Sequence, residues 1–287
     1  MLTAYRIARR LRVAWRHPSF AIGGALTAAL ILVALISLIW TPYPVDAIDV
    51  RNRLQGPSAA HWLGTDTFGR DVLSRIMQGA ANSIAVGVVA VGIGLAFGVT
   101  LGAWAAARRG WVDELVMRGN DVVFAFPAII SAVLITAYLG PGATNAIVAI
   151  GIFNIPVFAR VTRGAARQVW GLEYTRAALA IGKGPFDVTL HHVLPNVAPV
   201  LIVQATIQFA IAILAEAALS YLGIGTQPPN PSWGRMLFDA QTMMGFAPTL
   251  AIFPGVAIAL SVLGLNLLGD GLRDVLDPRF HPHRLGR

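Results

Sequence analysis

Long runs of apolar residues recur along this chain and leave few folds open to it. The first run, from Phe20 to Trp40, carries no charged side chain and is long enough to cross a bilayer as a helix. Five similar runs follow, at about 82–107, 119–139, 143–161, 197–222 and 247–269. Hydrophobic residues make up 56% of the chain and charged residues only 13%. We therefore predict an all-α polytopic membrane protein whose six transmembrane helices occupy a domain over 20–269.

The basic residues predict how these helices are oriented. Cytoplasmic loops carry an excess of Lys and Arg, and most basic residues here fall in the terminal segments 1–19 and 270–287, the connection after the second run and the loop 162–195. Both termini are therefore expected to be cytoplasmic, and the segments 41–81 and 223–246 are expected to be external. The external segments hold only Arg51, Arg53, Arg70, Arg75 and Arg235.

Composition also excludes several classes of function. The formal net charge of +8 comes from basic residues scattered between apolar runs, without a patch that interleaves basic and aromatic residues. No nucleic-acid partner is therefore predicted. The sequence has no cysteine, so a disulfide framework and thiolate chemistry are excluded. Its histidines and carboxylates do not cluster with metal-ligand spacing, and no metal site is predicted.

A polar segment from Glu173 to Pro195 separates the fourth and fifth apolar runs; we term it the elbow segment. Its first half has helical spacing, and Gly182 lies where a helix end favours a left-handed residue. Pro185 suits the first turn of a second short helix, and Pro195 is expected to end that helix. The pattern predicts two short helices joined by an elbow at the membrane surface.

The spacing within the elbow segment resembles the EAA loop of bacterial ABC importer permeases. His192 stands where the usual motif has an aliphatic residue, as in the peptide-importer branch of that family. In the family this loop is a coupling helix that docks on a separate ATP-hydrolysing subunit, and the alternative is an amphipathic loop lying on lipid headgroups. The residues expected to couple to the ATPase are Glu173, Arg176, Ala177, Ala178, Gly182, Leu194 and Pro195.

The first external segment contains the block HWLGTDTFGRDVLSR, residues 61–75. This block resembles the C-type subunit of dipeptide, oligopeptide and nickel importers. Asp66, Arg70 and Asp71 are expected to form a charge network at the outer mouth. The network is either a docking or gating surface for the substrate-carrying protein or an ion-pair knot that only orients the second span. Trp233, in the second external segment, is expected to anchor at the membrane interface as part of this external surface.

Small residues within the second apolar run predict a contact between helices. Gly94, Gly98 and Gly102 recur every fourth residue after Ala90, which places them on one helical face. Such a stripe is expected to pack against another helix, and a pore wall is the alternative. In the third run, Pro127 is expected to kink the helix.

Glu216 lies within the fifth apolar run, towards its outer end. A carboxylate inside a membrane is costly unless it is paired, hydrated or protonated, which makes it a candidate for function. We expect Glu216 to line the outer part of the transport pathway or to pair with Arg70 or Arg75.

The resemblance extends from about residue 20 to 279 and implies a type I ABC importer permease of the bacterial inner membrane. The partners it implies are a second homologous permease, two ATP-binding subunits or one fused, an extracytoplasmic binding protein and membrane lipid. ATP and Mg²⁺ would be held by the ATP-binding subunits, and this chain would hold no cofactor. Lys183 lacks the surrounding residues of a phosphate-binding P-loop, so the chain is not expected to be an enzyme.

Peptide is the expected substrate, because the resemblance is to the peptide-importer branch. Three alternatives stay open at this point. The chain could be a secondary transporter driven by an ion gradient, a membrane-embedded enzyme, or the same type of importer carrying nickel or another small solute. The first usually shows internal repeats and the second a convergent catalytic set, and neither pattern is found in the sequence.

Overall fold

A computed structural model describes residues 17–276 of the chain. Most of the predicted terminal segments, 1–19 and 270–287, therefore lies outside the described residues. Within 17–276 the regular structure is helical, apart from an isolated bridge between Thr65 and Asp71. The main helices are α1 (Pro18–Ser37), α2 (Val72–Arg108), α3 (Gly110–Phe124), α4 (Ala128–Leu139), α5 (Ala143–Trp170), α6 (Glu173–Ala180), α7 (Pro185–Tyr221), α8 (Trp233–Ala240) and α9 (Thr249–Leu276).

Five of these helices, namely α1, α2, α5, α7 and α9, are long and apolar enough to cross a membrane. α3 and the Ile129–Leu139 part of α4 form a sixth candidate span as a pair bent by 81°. The bend lies at Pro127, between the two helices. Proline has no amide hydrogen to donate and its ring clashes with the preceding turn, so the kink predicted at this residue has a direct cause. The described part of the chain therefore holds five or six candidate spans.

α2 begins at Val72, well before the predicted start of the second span at residue 82. Asp71 caps this helix, because its carboxylate accepts hydrogen bonds from the backbone amide and the hydroxyl of Ser74, each at 2.8 Å. Such a cap satisfies amide groups that the first turn of a helix leaves without partners. The loop before α2, which we term the first long loop, is therefore 38–71 and shorter than the predicted external segment 41–81.

The glycine stripe of α2 lies against α5. A Cβ atom on Gly98 would come 2.5 Å from the carbonyl oxygen of Ile155, and one on Gly102 would come 2.3 Å from that of Ala159. Gly94 is in similarly close contact with α5. Inside a membrane such close backbone approach is the main source of helix association. The stripe thus faces a helix of the same chain and does not line a pore.

α2 changes to π-helical turns along this contact, over Gly94–Val99. Asn154 of α5 also reaches across it, and its side-chain amide donates a hydrogen bond to the carbonyl oxygen of Ala90 at 3.2 Å. An interhelical hydrogen bond of this kind adds to the packing of small residues in membrane proteins. The α2 and α5 helices are therefore joined by both packing and a polar contact.

α7 runs from Pro185 to Tyr221 without a break, so the expectation that Pro195 ends a short helix is wrong. A π-helical stretch, Thr189–Val193, precedes this proline. The stretch resets the hydrogen-bonding register, and Pro195 then stands in the first turn of the α-helical part of α7. Proline has no amide hydrogen to donate, and it stands where the helix passes from π-helical to α-helical hydrogen bonding.

The helices have two distinct ends. The glycines of α2 over 94–102 contact successively later residues of α5, so the two helices run parallel. Arg108 of α2 and Trp170 of α5 therefore lie at the same end, together with the elbow segment. We term this the elbow end. α7 returns from it, so Tyr221 and α8 lie at the opposite end beside Val72 and the first long loop. We term that the loop end. α9 runs from the loop end to the elbow end and packs along α1.

Candidate functional site

The elbow segment folds as two helical parts joined by a left-handed turn. α6 ends in a Schellman motif, in which the amide of Gly182 donates to the carbonyl of Leu179 at 3.0 Å and the amide of Lys183 donates to that of Ala178 at 3.1 Å. Gly182 has a φ of +90°, a conformation that residues with a Cβ rarely adopt. The chain therefore reverses at the glycine that the sequence indicated.

One face of the elbow segment is packed into the helical core. Val188 and Val193 are fully buried and Ala178 is nearly so. They belong to one hydrophobic cluster with Phe158 and Trp170 of α5. Because packed cores deform little, a displacement of the elbow segment would move α5 and α7 with it.

The opposite face of the elbow segment carries exposed apolar and charged side chains. Phe186 is 80% exposed and Ile181 is 78% exposed. Asp187 pairs with the ammonium group of Lys183 at 3.5 Å and with Nδ1 of His191 at 2.8 Å. This face thus combines large apolar side chains with a local charge network, a composition suited to a partner that buries helical side chains in a groove.

The predicted coupling residues divide between the two faces. Ala178 is buried and Leu194 is half-buried. The remaining predicted residues are exposed: Glu173, Arg176, Ala177, Gly182 and Pro195. Among the described residues, Glu173 and Arg176 have no ion-pair partner. Their charges are therefore available to a molecule that contacts α6.

A charge cluster joins the first long loop to α8 at the loop end. The carboxylate of Asp66 lies 2.7 Å from Nε of Arg70 and 3.7 Å from Nε of Arg75. Asp239 lies 3.9 Å from Nη2 of Arg70 and 4.0 Å from Nη2 of Arg75, and it also pairs with Arg235 at 3.1 Å. Arg75 is only 3% exposed. Asp239 was not predicted from the sequence, although its spacing from Arg235, four residues apart on one helix, indicates such a pair.

Asp71 is not part of this cluster, which corrects the predicted network. Its carboxylate is buried, caps α2 and lies 2.9 Å from Nδ1 of His61. The ring of Tyr43 lies over His61, with 4.5 Å between the ring centroids. Asp71 thus fixes the start of α2 within the first long loop, whereas Arg70 pairs with Asp66.

Trp233 is a core residue, so its predicted role as an interfacial anchor is wrong. It is 2% exposed, and its indole Nε1 donates a hydrogen bond to the carbonyl of Ile76 at 3.0 Å. Gly79 of α2 makes room for the ring, since a Cβ atom there would lie 2.8 Å from Cδ1 of Trp233. The physical reason is that α8 folds back onto α2, which buries the tryptophan that opens it.

Glu216 is fully buried in α7, and no ion pair among the described residues involves it. Its Oε1 accepts hydrogen bonds from the hydroxyl of Ser220 at 2.6 Å and from that of Thr226 at 2.9 Å. The predicted pair with Arg70 or Arg75 is wrong, because the charge cluster holds both arginines. Glu216 therefore ties α7 to the loop that follows it and lines no open pathway in this conformation.

A second ionic contact, at the elbow end, was also not predicted from the sequence. Asp113 of α3 is 7% exposed and accepts hydrogen bonds from Arg163 at 2.7 Å and Arg167 at 2.6 Å. Arg160 pairs with Asp121 at 2.6 Å. The three arginines lie on one face of α5 and are visible in the sequence. Their carboxylate partners belong to another helix far away in the chain, and no local spacing pairs them.

The fold and these sites define a multi-pass helical membrane protein, with an exposed elbow at one end and a loop held by charges at the other. The chain belongs to the family of binding-protein-dependent transport system inner membrane components, whose model matches residues 98–282. Members of this family are the permease components of ABC importers.

Curated relatives and a solved structure agree with this family. The chain is 45% identical to the dipeptide transport system permease protein DppC of Alkalihalophilus pseudofirmus, over 90% of this chain and 85% of that protein. It is 43% identical to the glutathione transport system permease protein GsiD of Pectobacterium atrosepticum, over 89% and 87% of the two chains. The inward-facing MetNI methionine ABC transporter shares the fold, with a TM-score of 0.60 and 21% identity over 70% of this chain and 96% of the other.

Proposed function

We propose that this chain is the permease subunit of an ATP-driven importer of short peptides in the bacterial inner membrane. The two relatives described above are named for dipeptide and for glutathione transport, and they match 90% and 89% of this chain. Glutathione is itself a tripeptide, so both names indicate a small substrate that carries amide bonds and free carboxylates. A dipeptide or short peptide is therefore the substrate class that the relatives support best.

The coupling role rests on one observation, the two-faced elbow segment. Its inner face is packed against α5, and its outer face presents Phe186 and Ile181 beside the unpaired charges of Glu173 and Arg176. An ATP-binding subunit that held the outer face would move α5 and α7 as it changed shape, and the glycine stripe would pass this motion to α2. Energy would thus enter through a partner, because the chain carries no P-loop.

The proposed assembly contains a second permease of the same family, two ATP-binding subunits or one fused subunit, and a binding protein outside the membrane. ATP and Mg²⁺ are held by the ATP-binding subunits, and this chain has no hydrolytic role. The elbow end then lies in the cytoplasm and the loop end outside it, and both chain termini are cytoplasmic. This orientation follows the distribution of basic residues along the sequence.

For the loop end, the geometry supports the ion-pair knot over a docking contact made by the same charges. The side chains of Asp66 and Arg70 are 14% and 13% exposed, and that of Arg75 is 4% exposed. Side chains that pair with one another in this way orient α2 and α8. They expose little surface that a partner protein could contact. Trp62, which is 67% exposed, is one of several large side chains of the same loop that are available to the binding protein.

Site-directed crosslinking tests the coupling role. This chain has no native cysteine, so within it the crosslinker attaches only at the introduced thiol. Two variants are made, Phe186→Cys at the elbow end and Phe246→Cys at the loop end, and each is co-expressed with its partners. A benzophenone is then attached to the new thiol. Both native side chains are highly exposed, at 80% and 88%. We expect residue 186 to crosslink to an ATP-binding subunit and residue 246 not to do so. The reverse pattern would contradict the proposal.

Uptake measurements test the substrate and the energy source. The complete complex is reconstituted in liposomes with enclosed ATP and supplied with its binding protein and a labelled dipeptide, labelled glutathione or Ni²⁺. We expect ATP-dependent uptake of one of the two peptides. Uptake that persists without ATP and stops when the proton gradient is dissipated would indicate a secondary transporter, and uptake of Ni²⁺ alone would overturn the peptide assignment.

A further inference from the structure

A pocket at the elbow end, between α2 and α3, is lined by two arginines and two tryptophans. It has a volume of about 430 Å³, and its walls include Trp104, Arg108, Arg109, Trp111 and Val112. The chain turns sharply here, from the last residue of α2 to the first residue of α3. The turn places two adjacent guanidinium groups and two indole rings on one concave surface.

The two arginines of the pocket are not engaged by carboxylates. Within the described residues neither Arg108 nor Arg109 forms an ion pair, whereas Arg118 on α3 pairs with Glu114 at 3.7 Å. The arginines of α5 also have carboxylate partners on α3: Arg160 pairs with Asp121, and Arg163 and Arg167 share Asp113. The pocket therefore carries two positive charges without an acidic counterpart, and it is complementary to an anion.

The position of the pocket along α2 indicates where that anion comes from. Arg108 is the last residue of a candidate membrane span, and Trp104 lies one helical turn before it. Trp104 and Trp111 are 47% and 73% exposed. Tryptophan is enriched at the boundary between lipid tails and headgroups, and arginine next to a span attracts anionic lipid. The pocket thus lies at the depth of the headgroups.

We propose that this pocket binds the headgroup of an anionic phospholipid, with the guanidinium groups of Arg108 and Arg109 on its phosphate. Guanidinium groups suit this ligand because they present paired donors to phosphate oxygens. The indoles of Trp104 and Trp111 would lie against the glycerol backbone and the first methylene groups. A lipid with net negative charge is favoured over a zwitterionic one, since no carboxylate in the pocket pairs with a choline or ethanolamine group. This inference does not depend on the transported substrate or on the ATPase contact.

Lipid retention tests the site. The complex is purified in a mild detergent, incubated with phosphatidylglycerol or phosphatidylcholine, and analysed by native mass spectrometry for bound lipid. We expect the wild-type chain to retain phosphatidylglycerol selectively. Replacing both pocket arginines, as Arg108→Gln with Arg109→Gln, should reduce that selectivity roughly 30-fold, because each arginine near an anionic membrane surface contributes several-fold in affinity. Arg118→Gln removes the same charge from the exposed face of α3 and should leave retention unchanged.

Several outcomes would overturn the proposal. Retention of phosphatidylglycerol by the double variant, or equal loss in Arg118→Gln, would show that the pocket is not the binding site. Displacement of the lipid by inorganic phosphate at equal concentration would assign the pocket to a free anion. Should the double variant fail to fold, photoactivatable phosphatidylglycerol is added to the wild-type complex. Labelling within 104–112 then supports the site, and labelling only elsewhere overturns it.

Discussion

At the scale of single residues, several buried polar side chains fix a helix start or a loop. Asp71 fixes the start of α2, and Trp233 donates to a backbone carbonyl of that helix. Glu216 accepts hydrogen bonds from Ser220 and Thr226, one in its own helix and one in the loop that follows. A buried acceptor without its donors would be costly, so the two donors to Oε1 stabilise Glu216 within an apolar segment.

We expect Glu216→Gln to preserve folding and transport, because a glutamine oxygen accepts the same two hydrogen bonds and the side chain is fully buried. Glu216→Ala removes the acceptor of two buried hydroxyl groups and should destabilise the chain by about 2–3 kcal/mol. Thermal unfolding of both variants in detergent, followed by uptake assays, checks this expectation. A glutamine variant that folds normally and transports poorly would show that Glu216 has a direct role in transport.

At the scale of helices, the contact between α2 and α5 depends on the missing side chains of its glycines. A Cβ atom on Gly98 would lie 2.5 Å from a backbone oxygen of α5, which cannot move aside without shifting the helix. Gly92 lies on the same helix with nothing within 4 Å of its Cβ position. The two glycines therefore separate the effect of packing from the effect of helix propensity.

Gly98→Ala is expected to destabilise the chain by about 1–3 kcal/mol, because the added methyl group forces the helices apart. Gly92→Ala should be neutral or stabilising by up to about 1 kcal/mol, since alanine is the better helix former. The comparison is made by thermal unfolding of the two variants under identical conditions. Equal effects in both would mean that the close contact at residue 98 contributes nothing to stability.

The ionic contact between α3 and α5 is the other test at this scale. Asp113→Asn leaves Arg163 and Arg167 without their charged acceptor and should cost about 2 kcal/mol, a value reduced by the partial exposure of both arginines. Glu114→Gln is the matched control, because the side chains of Arg118 and Glu114 are 75% and 71% exposed and their pair is expected to contribute little. If the control variant unfolds as early as Asp113→Asn, the buried contact has no special role in stability.

At the scale of the whole molecule, the apolar runs predicted six spans, and the described residues hold five long apolar helices and a bent pair that makes a sixth candidate, with the bend at Pro127 as predicted. The ends of α2 and α7 were less predictable, because Asp71 starts one helix early and π-helical turns carry the other through Pro195. Tertiary contacts between distant residues were not readable from local spacing, and so Trp233 was misplaced and Asp113 was missed. The elbow could be predicted from the sequence, because a single residue in a local motif, Gly182, determines the turn.

The elbow also provides a test of coupling through the whole molecule. Gly182 has a φ of +90° whereas the φ of Gly184 is −70°, and neither has an atom within 4 Å of its Cβ position. Gly182→Ala should therefore strain the turn by about 1–2 kcal/mol, displace the outer face of the elbow segment and lower ATP-driven uptake several-fold. Gly184→Ala adds the same methyl group without strain and should transport normally.

The two alanine variants are compared for uptake, for ATP hydrolysis by the assembled complex and for thermal unfolding. If the elbow segment transmits motion, Gly182→Ala should keep its folded spans and its ATP hydrolysis. Its uptake per ATP hydrolysed should fall, because hydrolysis no longer moves α5 and α7. Loss of folded protein in Gly182→Ala would show that the turn is needed for stability. Unchanged uptake in both variants would show that the turn has no role in coupling. The matched glycine at 184 ensures that any difference arises from the left-handed turn, since both changes add one methyl group to exposed backbone.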